Sequence, residues 1–96
     1  MSTRRVYEIR QAILGELAGI YPGGRVLDRL LVTGDLVALK VTREEAFAEL
    51  AVLESGAFVL DLRPQRDPYY KITYTGLLQI RRETALDETV WGEAAL

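Results

Sequence analysis

Two groups of side chains could hold phosphate, Lys40, Thr42 and Arg43 in one and Arg63, Gln65, Arg66 and Lys71 in the other. Lysine and arginine bind phosphate oxygens by charge, arginine through a planar fork of donors, while threonine and glutamine add neutral hydrogen bonds. Arg4 and Arg5 could add further phosphate contacts. Composition closes off most other chemistry. The 96 residues include no cysteine and no histidine, which removes disulfides, thiolate nucleophiles, Cys/His zinc sites and any Ser-His-Asp arrangement. Carboxylates remain, but Asp28, Asp35 and Asp61 lie on separate predicted elements, and nothing in their spacing draws them into one pocket. Neither catalytic residues nor a metal or other cofactor is expected, and the chain reads as a non-enzyme.

The elements that must position these side chains follow from apolar periodicity. Val6, Ile9, Ile13, Leu14 and Leu17 form one helical face, with Glu8, Arg10, Gln11 and Glu16 opposite, so a first helix is predicted. It stops at Ile20-Tyr21-Pro22-Gly23-Gly24, because Pro22 disfavours helical geometry at Tyr21. A second helix over Arg25 to Val32 is expected to turn Val26, Leu27, Leu30 and Leu31 inward, ending at Thr33-Gly34-Asp35. Leu36 to Val41 fits a short strand, a helical turn or a buried connector equally well. Thr42-Arg43-Glu44-Glu45 is a capping box that starts a third helix, expected to bury Ala46, Phe47, Leu50 and Leu53 and to end at Ser55-Gly56, with Gly56 suited to a left-handed cap. Phe58, Leu60 and Leu62 then alternate with Val59, Asp61 and Arg63. After the turn-rich Pro64-Gln65-Arg66-Asp67-Pro68 comes Tyr69-Tyr70-Lys71-Ile72, and together these predict a two-stranded hairpin. Thr73 can cap a last helix carrying Leu77, Leu78 and Ile80 and closing on Arg81-Arg82, with Gly76 placed to let another backbone approach.

Two stretches carry a resemblance. Thr42 to Val59, a capped helix ending in Leu53-Glu54-Ser55-Gly56-Ala57-Phe58-Val59, looks like the recognition helix that leads into the wing of winged-helix proteins. Tyr70-Lys71-Ile72-Thr73-Tyr74-Thr75-Gly76-Leu77-Leu78 resembles the segment that closes the wing in PadR-like and MarR-like regulators. Tyr21-Pro22, the leucine-rich second helix and Lys71-Ile72-Thr73 are also similar to small winged-helix proteins of Mu-like prophages. The resemblance implies an α+β, mostly α fold: a three-helix core, a two-stranded hairpin wing and a closing helix over residues 1–84. Residues 85–96 are expected to be an acidic tail, disordered or packed at an interface. It also implies a DNA-binding transcriptional regulator or phage accessory protein, with the third helix in the major groove and the hairpin on the backbone. Lys40, Thr42 and Arg43 at the helix start, and Arg63, Gln65, Arg66 and Lys71 on the wing, would then contact double-stranded DNA. Regulators of this kind usually pair, so a homodimer is expected.

Charge bears on this expectation. The net charge is −2, but residues 85–96 hold Asp87, Glu88 and Glu93 with no base, so the rest of the chain sums to +1. The third helix opposes phosphate contact more directly, since Glu44, Glu45, Glu49 and Glu54 face only Arg43. Capping accounts for Glu45 and the helix N-terminus for Glu44; Glu49 and Glu54 read as a solvated face. The alternative is a protein-interaction or dimerisation module on the same scaffold that does not bind DNA, with Tyr69 or Trp91 as aromatic anchors. No apolar run is long enough to span a membrane, and the N-terminus lacks the apolar core of a secretory signal, so a cytoplasmic protein is expected.

Overall fold

The computed structural model describes residues 3–63 and 68–81. These form α1 (Thr3–Gly19), β1 (Arg25–Val26), α2 (Leu27–Leu30), α3 (Gly34–Ala38), α4 (Arg43–Ser55), β2 (Val59–Asp61), β3 (Tyr69–Ile72) and α5 (Tyr74–Arg81). The class is α+β, mostly α, with one antiparallel sheet of order β1-β3-β2. The apolar stripe of α1 is the centre of the core. Its Ile9, Ile13, Leu14 and Leu17 are fully buried, and α3, α4, α5 and β3 pack around it. No helix among the described residues is long and apolar enough to cross a membrane.

The second helix begins later than its pattern predicts. Arg25 and Val26 instead pair with Tyr70 and Tyr69 of β3, adding a third strand to the predicted hairpin. Gly24 makes this possible, because a Cβ there would lie 2.5 Å from the Tyr70 carbonyl oxygen and 2.6 Å from Cε1 of Tyr69. The helical remainder, α2, buries Leu27 and Leu30, while Val32 is exposed. The open stretch 36–41 resolves into most of α3 and a turn, with Leu36 buried and Lys40 in the left-handed region at φ 54°.

α4 starts on the predicted capping box. The Glu45 amide donates to the Thr42 hydroxyl at 3.1 Å, and the Thr42 amide donates to the Glu45 carboxylate at 3.0 Å. Ala46, Leu50 and Leu53 are buried as expected, but Phe47 is 52% exposed and Glu49 takes the inward position. The end of the helix also differs: Gly56 has φ −86°, and Ala57 adopts the left-handed conformation at φ 65°. Gly56 is small for another reason, since a Cβ there would lie 2.5 Å from the Phe58 ring. The Phe58 amide reaches back to the Leu53 carbonyl, closing the turn.

In the sheet, Val59 pairs with Ile72 and both are buried, whereas Leu60 pairs with Lys71 on the outward face. The Phe58-Leu60-Leu62 alternation therefore does not mark the core face, because Leu60 and Leu62 are about half exposed. Thr73 caps α5 by accepting from the Gly76 amide at 3.0 Å, and its hydroxyl donates to the Ala57 carbonyl at 2.6 Å. Gly76 lies so close to Phe58 that a Cβ would collide with its carbonyl oxygen and with Cγ1 of Ile72. Arg82 lies outside the described residues.

One substitution at two glycines should therefore act in opposite directions. Gly76→Ala overpacks that contact and should lower unfolding free energy by about 2 kcal/mol. Gly15→Ala, in the interior of α1 with nothing within 4 Å of the added carbon, should raise it by about 1 kcal/mol. Urea unfolding midpoints of the two variants check both signs.

Candidate functional site

Around the start of α4, most of the polar groups are already engaged. The Thr42 hydroxyl is taken up by the cap, and the Arg43 guanidinium is paired with Asp28 of α2. Arg5 is not free for phosphate. It donates to both carboxylate oxygens of Glu45, at 2.8 and 3.0 Å, and to the Leu39 carbonyl at 2.9 Å. That ion pair, helped by the Thr42 amide, holds the Glu45 carboxyl down from its ordinary 4.5 to about 2. Lys40 stays exposed in the turn before the cap, and Arg4 lies at the surface 4.0 Å from Glu8.

Glu49 is not the solvated acid its sequence suggests. Its carboxylate accepts from Arg10 Nε at 2.6 Å, with the two side chains 9% and 13% exposed. Of the four acids on α4, Glu45 and Glu49 are thus neutralised against α1, and Glu44 and Glu54 remain at the surface. Between them lies an outward face made of Phe47, Ala48, Ala51 and Val52, with Phe47 and Val52 52% and 44% exposed. These residues recur at four-residue steps, so they form a continuous apolar strip.

Of the second group of predicted contacts, Arg63 and Lys71 lie on the outward face of the sheet. The Arg63 guanidinium sits 5.0 Å from the centre of the Tyr69 ring, and the Lys71 ammonium 5.8 Å from that of Tyr21. Cations over ring faces are held by the ring quadrupole. Tyr69 is itself anchored, its hydroxyl accepting from the Gly24 amide at 3.2 Å. Leu60, Leu62 and Tyr21 are exposed on or beside this face. Gln65 and Arg66 lie outside the described residues, as do Trp91 and the acidic stretch 85–96. The structure therefore gathers Arg63 and Lys71 on the sheet and leaves Lys40, Thr42 and Arg43 at the start of α4. Tyr21 and Phe47 were missed as surface groups. Nothing local marks Tyr21 as a partner for Lys71, fifty positions away, whereas at α4 the inward position belongs to Glu49 and not to Phe47, with Ala46, Leu50 and Leu53 buried as their spacing predicts.

Among the described residues no cluster of acids forms a metal site. Asp28 faces Arg43, Asp61 accepts the amides of Arg63 and Tyr69, and Asp35 borders an open groove of about 530 Å³ between α1, α3 and the end of α5. No protein-family model, no curated protein and no solved structure matches the chain.

The two ion pairs make separate predictions. Arg10→Ala strands a buried carboxylate and should cost about 3 kcal/mol, while Arg10→Met combined with Glu49→Leu should cost far less. Chemical denaturation of the single and double variants checks this. The folded-state Glu45 carboxyl is depressed, so its contribution is present above pH 4.5 and lost as pH falls towards 2. The stability difference between wild type and Glu45→Gln should shrink across that window.

Proposed function

We propose that this chain is a winged-helix domain whose α4 does not read DNA. In this reading α4 corresponds to the recognition helix, β2 and β3 to the wing, and α5 to the closing helix. Its role is that of a protein-interaction module, with the outward face of α4 as the docking surface. The observation that carries the proposal is the composition of that face: Phe47, Ala48, Ala51 and Val52 bounded by Glu44 and Glu54, with the nearest α4 cation, Arg43, paired to Asp28. A helix entering the major groove must pass between two rows of phosphates, where acids are repelled and apolar side chains gain little. A protein partner offers the opposite environment, since buried apolar anchors supply most interface energy.

The regulator reading rests on a different observation, the outward placement of Arg63 and Lys71, which could lie along a phosphate backbone. Fluorescence anisotropy with a mixed-sequence duplex separates the two. The interaction module is expected to bind no duplex even at low salt, where non-specific attraction is strongest. Salt-sensitive binding that weakens in Arg63→Ala/Lys71→Ala would overturn it in favour of the regulator. A photo-cross-linker replacing Phe47 supplies the positive arm. The protein it captures, once identified and purified, should bind wild type roughly tenfold or more tightly than Val52→Asp.

A further inference from the structure

We infer that the α4 face docks on the outward sheet face of a second copy of this chain, an inference that rests on the interaction-module reading and names its partner. The two faces are matched in chemistry. The α4 face has an apolar strip, Phe47 and Val52 on its two flanks with Ala48 and Ala51 between them, and Glu44 and Glu54 lie towards its ends. The sheet face has Leu60 and Leu62 exposed, with Lys71 opposite Leu60 and Arg63 next along the chain from Leu62. An amphipathic helix laid on a sheet face is an ordinary packing layer, and acids over bases at its margin add register and specificity.

The fold prevents these faces from meeting within one molecule. Ala46, Leu50 and Leu53 of α4 share a core with Val59, Tyr70 and Ile72 of the sheet. The outer surfaces of α4 and of the sheet therefore both point away from that common core. The pairing of acids with α1 sharpens the match: Arg5 and Arg10 neutralise Glu45 and Glu49 on the inner side, so the outward charge of α4 comes from Glu44 and Glu54. On the sheet, the aromatic rings under Lys71 and Arg63 hold both cations at the surface. The contact is heterologous, with one patch meeting a different patch.

Sedimentation velocity of the full chain over a roughly hundredfold concentration range tests this, because a self-associating chain gains mass with concentration. Wild type should associate, less so at high salt. Glu44→Lys/Glu54→Lys should place like charge against the native sheet, and Arg63→Glu/Lys71→Glu like charge against native α4. Each double variant alone should associate roughly tenfold or more weakly. Mixed together they should associate again, since every α4 then meets a sheet of opposite charge, a recovery that misfolded variants could not give. A wild type that is monomeric throughout overturns the inference, as does association indifferent to both reversals or a mixture that fails to recover. If a monomeric wild type still binds its Phe47-captured partner in a Val52-dependent way, the self-docking fails and the interaction module stands. Duplex binding lost in Arg63→Glu/Lys71→Glu would give the sheet face to phosphates and overturn both.

Discussion

The apolar stripe of α1 is the constraint on which the rest depends. A helix with one wide apolar face must bury it, and here α3, α4, α5 and β3 each cover part of it. Ile9, Ile13, Leu14 and Leu17 are fully buried only because all four neighbours are in place. The flanks of the stripe add direction to this non-directional attraction. Arg5 meets Glu45 and Arg10 meets Glu49, ion pairs about one helical turn apart on both helices. Apolar packing alone would allow α4 to slide or rotate on α1, whereas two paired charges at this spacing fix one alignment. The alignment in turn decides which residues of α4 face outward.

A second junction ties the sheet to the closing helix through backbone and small side chains. Ala57 turns left-handed at the end of α4, and its carbonyl accepts the Thr73 hydroxyl, which also caps α5. The Phe58 carbonyl takes the Thr73 amide while lying against Gly76. The end of α4, the start of β2 and the start of α5 thus meet at one point, where Gly76 allows close approach and Gly56 leaves room for the Phe58 ring. Consequently the orientation of the sheet is coupled to α4, and α4 to α1. The outward faces of helix and sheet are positioned by one connected set of contacts.

Much of this was legible in the sequence, and what was not has identifiable causes. The first helix, the capping box at Thr42, strand Tyr69–Ile72, the Thr73 cap and the close approach at Gly76 follow from periodicity or from hydrogen bonding within a few residues. The β1 strand does not, because Arg25-Val26 becomes extended only through pairing with β3, more than forty residues away. Gly56 suggests a left-handed cap, but its role is to leave space for the Phe58 ring. On α4, Phe47 suits a core and Glu49 does not, so hydrophobicity ranks them the wrong way round. Arg10, placed among the solvated residues of α1, is what makes an inward Glu49 tolerable. The paired carboxylate is an arrangement that a single helix's pattern cannot display.

The same partition explains why net charge was a poor guide to the surface. Taken as a sum, the four acids of α4 describe a strongly negative helix, but two of them are neutralised against α1 and add little to the outward field. What faces out is a short apolar strip with an acid towards each end, and on the far side of the shared core a sheet carries aromatics, leucines and two cations. Desolvating an acid costs several kcal/mol unless a partner lies within hydrogen-bond reach, so Glu45 and Glu49 could enter the α1 contact only with Arg5 and Arg10. Removing those acids from the surface leaves Phe47 and Val52 as the dominant features of the outward face. A surface of that kind is stable in water only while it stays small or finds a complementary cover, and its acid boundary sets the chemistry of the cover it accepts.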